Sequence, residues 1–363
     1  MKKIVSMILL TIFIGGLIGN SFSYAEGGLE SKGTNLRIKG IEIYHPSNKI
    51  NNNFYIEHFK KQGKDISRLL KAFGREDRYI INDKEENALT MAQKVCLKVL
   101  KSCDLSGSDV DLLVFSTQTP EYSLPANAMA LSGMINVNAN ACIFDINQNC
   151  SGMVMGTDVV RSLMAARPDI KYALLVGSEN WSAFCSPENE YTYPIFGDMA
   201  CAVVFEKSED DSSKFYDSTY ITNGENALKY VKFPKEGLAR SAEDLGKRMH
   251  IDWRNFDAGF VPECFARTYR DLSKKTSIEV SQINHFCMSQ FALSMLKGCV
   301  RELDESIIDK FIYIGDKYGY TGTTSPYVAL YEGIKTGRIK RGDIISLWSV
   351  GLLYTCGNIY LKY

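Results

Sequence analysis

The chain has 363 residues, and its 42 Lys and Arg balance 42 Asp and Glu, so its formal net charge is zero. That balance excludes a non-specific nucleic-acid binder, which needs a basic excess to displace counterions. Hydrophobic residues make up 45% and charged residues 23% of the sequence, which excludes disorder, collagen and coiled coil as whole-chain descriptions and leaves a globular protein of about two domains, or one duplicated one.

Residues 1–25 follow the pattern of a secretory signal. Met1-Lys2-Lys3 is basic, Ile4 to Gly19 is an apolar run interrupted by Ser6 and Thr11, and Ser23-Tyr24-Ala25 places small residues at a cleavage site. The run is shorter than the ~20 residues a spanning helix prefers, so it reads as a signal or a membrane tether. Residues 26–35 are polar and Gly-rich and read as a linker.

Short apolar runs predict strands over 111–117, 142–146, 172–177 and 201–205, each buried on both faces as in a helix-covered parallel sheet. Helices are predicted over 87–103 and 151–166. The polar run 208–214 reads as a join between an N-terminal half, 36–207, and a C-terminal half, 208–363. The second half predicts helices over 261–275, 286–302 and 325–336, the last with Pro326 in its first turn. It predicts strands over 311–314, 343–350 and 358–363. Alternating strands and helices imply an α/β fold.

Three segments could carry chemistry. In Asn149-Cys150-Ser151-Gly152 a thiol stands where a strand gives way to a helix, and unpaired amides at a helix N-terminus favour a thiolate nucleophile. Ile283 to Gln290 places His285 at a strand-to-helix junction. Ser349 to Gly357 is a strand-to-strand turn whose amides could serve an oxyanion. There is no C-x-x-C, H-E-x-x-H, Walker loop or G-x-S-x-G, so zinc, nucleotide and serine-hydrolase chemistry have no footing. With four His in the chain no metal site is expected, and ten Cys over this length are too dilute for a disulfide scaffold.

Taken in order, the motifs Ile38 to Glu42, Ser116-Thr117-Gln118-Thr119-Pro120, Asn149 to Gly152, Val176-Gly177-Ser178-Glu179, Phe196 to Ala202, Asn284-His285 and Gly337 to Asp343 resemble the thiolase-like condensing enzymes of the β-ketoacyl-acyl-carrier-protein synthase III type. The resemblance implies a five-layered α-β-α-β-α fold of two related halves, a homodimer, and a ping-pong reaction. Cys150 would take an acyl group from an acyl-CoA or acyl-carrier-protein thioester, with no permanently bound cofactor. A His and an Asn would then stabilise the enolate of a decarboxylated malonyl thioester. By motif match His285 is the expected His, and the amides of Cys150 and Leu352 form the oxyanion hole. Tyr320 stands where the family has Asn, and Leu352 and Leu353 replace glycines. Arg68, Lys71, Arg75 and Arg78 form a basic region suited to a phosphopantetheine arm.

The resulting expectation is an acyl-thioester condensing enzyme of fatty-acid, polyketide or secondary-metabolite synthesis. The alternatives are a non-decarboxylating acyltransferase making an ester, amide or thioester, and a non-catalytic partner subunit of a heterodimer. Thioester donors and free thiols point to the cytoplasm, with membrane contact only through residues 1–25.

Overall fold

The computed structural model describes residues 35–208, 212–225, 227–241, 249–254, 258–352 and 355–363. The leader, nearly all of the linker and the middle of the polar join lie outside the described residues.

The five residues Leu112–Ser116 (β2) are all buried, because the strand has parallel partners on both sides and helices on both faces. Its neighbours are Cys142–Ile146 (β3) and Tyr172–Glu179 (β4). Met199–Lys207 (β5) pairs antiparallel with β4, and Leu36–Tyr44 (β1) pairs antiparallel with β5, giving the order β1-β5-β4-β2-β3. A second sheet comes from the C-terminal part of the chain: Lys214–Thr222 (β6), His285–Met288 (β7), Ile344–Gly351 (β8) and Thr355–Lys362 (β9), in the order β7-β8-β9-β6. Only its β7–β8 pair is parallel.

The helices complete the layers. Ala88–Ser102 (α1) buries Met91, Ala92, Val95 and Val99 on the first sheet, and its start is fixed by reciprocal bonds between Asn87 and Thr90. Asn127–Met134 (α2) lies against β2 and β3 on that sheet. Gly152–Ala166 (α3) and Ser325–Lys335 (α6) each touch both sheets and so lie between them. Val261–Thr276 (α4) and Leu293–Leu303 (α5) pack together, and α4 covers β6 and β9 of the second sheet. The result is an α-β-α-β-α stack, as expected, and residues 33–363 form one compact unit.

Two predicted elements differ. Residues 286–302 contain strand β7 first and helix only from Leu293. Phe286, Cys287 and Met288 pair with Ser346, Leu347 and Trp348 and are buried, and a short continuous apolar run does not distinguish strand from helix by periodicity. Residues 311–314 make one isolated bridge, Phe286 to Phe311, rather than a strand. The Gln290 side chain takes up the Ile312 carbonyl (2.6 Å) and the Ile314 amide (2.7 Å), so the backbone groups of this segment are satisfied without a ladder.

Candidate active site

Cys150 sits between β3 and α3, in a turn closed by Ser151 and Gly152 amides on the Gln148 and Asn149 carbonyls. Asn149 has φ 53°, in the left-handed region that a short polar side chain tolerates. The turn is pinned from the second half of the chain. The Ser349 hydroxyl donates to the Cys150 carbonyl (2.7 Å), and the Met153 amide, in the first turn of α3, donates to the Thr323 hydroxyl (2.8 Å). Gly152 is required here, because a Cβ would meet the Ser116 hydroxyl at 2.2 Å.

The Cys150 thiol is 6% exposed. Burial pushes its pKa up to about 11, against hydrogen bonds from the Tyr320 hydroxyl, the Leu352 amide and the Gln118 side chain, which favour the thiolate. Leu352 stands here with φ 47°, a conformation that favours glycine. Tyr320 is 2% exposed and held by its own backbone: its N–H donates to the Ile195 carbonyl, and its carbonyl accepts from Gly197. Its hydroxyl lies 3.0 Å from the Ser289 hydroxyl. Burial, then the neighbouring Cys150, raise the Tyr320 pKa well above its usual 10, so it is a donor and not a base near neutral pH.

Behind the thiol lies a buried carboxyl. Glu179, at the end of β4, accepts from the Gln118 amide N–H (3.1 Å), Gln118 Nε2 (3.1 Å) and the Thr119 hydroxyl (3.0 Å). Gln118 Nε2 is in turn 3.8 Å from Cys150 Sγ. Burial raises the Glu179 pKa to about 7 despite these bonds. In front of the thiol lies a cavity of about 40 Å³, walled by apolar side chains together with Cys150 and Tyr320.

Thus Cys150, Tyr320 and Leu352 come together, and His285 does not join them. His285 opens β7 opposite Ile345, whereas Cys150 is held by Ser349 at the far end of β8. Four residues of strand, about 13 Å at ~3.3 Å each, separate those positions. His285 Nε2 instead faces Asp343 at 3.4 Å. Its pKa is lowered by burial, with Asp343 opposing. The group that β7 delivers to the site from its other end is Ser289, and among the described residues no histidine lines the cavity. The motif match fails at His285 because this residue opens a strand, His285–Met288, and does not stand at a strand-to-helix junction. Gln118, Glu179 and Ser289 all stood inside segments already singled out, but only the tertiary contacts give them a place around the sulfur.

The sequence regions matched by family profiles are consistent with this architecture. Residues 144–224 match 3-oxoacyl-[acyl-carrier-protein] synthase III, and residues 273–363 match its C-terminal region. Over these two regions the chain is similar to the synthase III family. It is 28% identical over 286 residues to the β-ketoacyl-[acyl-carrier-protein] synthase III of Lactobacillus helveticus, covering 77% of this chain and 85% of that one. It is 27% identical over 333 residues to the enzyme of the same name from Clostridium botulinum, covering 90% and 98%. The crystal structure of the Aquifex aeolicus synthase III shares the fold with a TM-score of 0.79 at 24% identity, covering 90% of this chain and all of that one. Xanthomonas campestris OleA shares it at 0.79 and 19% identity, covering 91% and 98%.

Within the family framework the basic region is also corrected. Arg68 and Lys71 are exposed, but Arg75 and Arg78 are buried. Arg75 donates to the Gln290 and Phe291 carbonyls (2.6 Å each), and Arg78 to Asn52 and to the Pro194 carbonyl while stacking on Tyr55. These guanidinium groups hold loops around the site together and are not presented to a phosphate. Leu353 lies outside the described residues. The ten cysteines form no disulfide, and no helix of the described residues is long and apolar enough to cross a membrane.

Proposed function

We propose that the protein is an acyl-thioester condensing enzyme that works through an acyl-Cys150 intermediate. The observation that carries this reading is the gathering of Cys150, Tyr320 and Leu352 around one apolar cavity, with Gln118 Nε2 3.8 Å from the sulfur. In the first step Cys150 Sγ bonds to the acyl carbon, the donor's C–S bond breaks, and the thiol proton leaves with the departing thiol. The Leu352 and Cys150 amides are the donors for the oxyanion, each of a kind typically worth about 3 kcal/mol.

The second step distinguishes condensation from simple acyl transfer. Transfer to an alcohol or amine requires a base for the acceptor's proton. Tyr320 and Ser289 are hydroxyls, and Glu179 is separated from the sulfur by Gln118. Loss of carbon dioxide from a malonyl thioester removes no proton from carbon and needs only donors to the enolate oxygen, which the Tyr320–Ser289 pair can supply. The donor is a CoA or carrier-protein thioester, and the cytoplasm, where such thioesters and free thiols occur, is the proposed location.

The partner we propose is a second copy of the chain. Edge strand β3 carries Cys142, Ile143, Phe144 and Ile146, all only half-buried, beside Tyr122, Leu124 and Met129, which are 53%, 88% and 56% exposed. An unpaired apolar edge of this kind is a template for strand pairing.

The test is incubation with acyl and labelled malonyl thioesters, with intact-mass detection of acyl-enzyme and measurement of labelled carbon dioxide. Acyl-enzyme that disappears in Cys150→Ala, together with carbon dioxide release, is the expected result. Acyl-enzyme discharged to an alcohol, amine or thiol without carbon dioxide would replace condensation by non-decarboxylating transfer. No acyl-enzyme with any donor would leave a non-catalytic subunit.

A further inference from the structure

The Cys150 sulfur has a second polar side, away from the cavity. Gln118 is buried and is not among the residues that line the cavity. Its side-chain amide meets the sulfur edge-on: Nε2 lies 3.8 Å and Oε1 3.9 Å from Cys150 Sγ. A primary amide has two N–H donors and one carbonyl acceptor. One N–H donates to Glu179 Oε1 at 3.1 Å, so the other N–H and the carbonyl oxygen form the edge that faces the sulfur.

Glu179 decides this orientation. It is fully buried, and it accepts from the Gln118 side chain and the Gln118 backbone N–H together, each at 3.1 Å. The Thr119 hydroxyl donates to its other oxygen at 3.0 Å and itself accepts from the Asn180 amide at 2.8 Å. An ionised carboxylate only accepts, so it admits the Nε2 end of the amide and excludes the Oε1 end. A neutral side chain could close the same loop. A carboxyl without exposure is costly to a fold, and such groups gather where chemistry needs them.

We infer that Gln118 is a catalytic residue that holds the Cys150 sulfur through both of its protonation states, and that Glu179 is the positioning residue that fixes the Gln118 amide for this task. In the resting thiol the S–H donates to Gln118 Oε1. On ionisation the S–H bond breaks, the proton passes to a solvent base, the electron pair stays on sulfur, and the free Nε2–H becomes the donor. The amide gains and loses no proton, and it is already in place when the charge appears, which is what makes a fixed dipole effective. Because the amide lies outside the cavity, an acyl group seated in the cavity leaves it beside the sulfur. This inference rests on the acyl-Cys150 reading and adds two residues to its machinery.

The experiment follows the reaction of Cys150 with a small neutral disulfide reagent by peptide mass spectrometry across a pH series. The partly exposed Cys264 is the reference thiol in the same digest, and melting temperature reports folding. The full chain is compared with Gln118→Leu, Glu179→Gln and the double variant, and Gln118→Met takes the place of Gln118→Leu if that variant does not fold. Gln118→Leu should raise the apparent pKa of Cys150 and slow its reaction at pH 8 about three- to fifteenfold, with Cys264 unchanged. Glu179→Gln removes a negative charge that disfavours the thiolate and also releases the Gln118 amide, two effects of opposite sign. With Gln118 already replaced only the charge effect remains, so Glu179→Gln should accelerate Cys150 at least about threefold more there than in the unaltered protein. A rate within about twofold of the unaltered protein in folded Gln118→Leu or Gln118→Met overturns the assignment of Gln118. Equal effects of Glu179→Gln in both backgrounds overturn that of Glu179. Incubation of the same proteins with acyl thioesters tests the underlying reading separately: no acylated Cys150 with any donor, alongside the expected disulfide rates, overturns the acyl-Cys150 step and leaves the Gln118 contact standing.

Discussion

The contact between the Tyr320 hydroxyl and the Cys150 sulfur sets a measurable reactivity. With the thiol pushed up to about 11, about one chain in a thousand carries the thiolate at pH 8. Tyr320→Phe keeps the ring that packs on Phe196 and Phe291 and removes only the hydroxyl. A hydrogen bond to a charged group contributes about 1.5–3 kcal/mol, so its loss raises the thiol pKa further by roughly one to two units. The thiolate that remains is more nucleophilic, and a Brønsted slope of ~0.4–0.5 returns nearly half of the effect. The net expectation is a fall of about three- to fifteenfold in the reaction of Cys150 with a small disulfide reagent at pH 8. The assay follows the Cys150 peptide by mass spectrometry, with the melting temperature as a control for folding. An unchanged or faster rate in a variant of normal stability would refute the assignment of Tyr320 as donor to the sulfur.

Other expectations follow from the same contacts. Burial raises Glu179 to about 7 and Asp198 to about 6, so the folded chain binds these protons more tightly than the unfolded one. Their stabilisation is present in full below about pH 4 and is lost as pH rises through 7. Glu179→Gln should flatten the fall of melting temperature between pH 5 and 8, a change worth up to about 3 kcal/mol; the same slope in both proteins contradicts this. Gly319 precedes Tyr320 at φ 71°, where a Cβ would lie 2.9 Å from Arg78 Cβ and 3.1 Å from the Ile195 carbonyl oxygen. Gly319→Ala should therefore cost about 2 kcal/mol in denaturant titration, and unaltered stability would count against it. A hydrogen bond from Cys356 holds the half-exposed Cys264 below the usual thiol range, so a limiting alkylating agent at pH 7 should modify Cys264 before Cys150, as read by peptide mapping. Leu124→Asp with Met129→Asp should convert a dimer to a monomer in sedimentation without lowering stability, since both side chains are exposed; a dimer that survives places the interface elsewhere.

What the sequence determined by itself is local. Buried strands such as Leu112–Ser116 were legible because both faces are covered and every position is apolar or small. The capped helix at Ala88 and the helix opened by Pro326 were legible from spacing and first-turn chemistry. Cys150 stood out because a thiol at a strand-to-helix turn is a local pattern. The partners of that thiol are not local. Gln118, Tyr320 and Leu352 lie between 32 and about 200 residues from Cys150 along the chain, and each arrives on a different strand end or turn. His285 shows the consequence. Its identity made it a candidate, but a strand side chain four residues from the active end is carried ~13 Å away. The register of β7 on β8, which no residue identity reveals, decided that Ser289, and not His285, meets the Tyr320 hydroxyl beside the site.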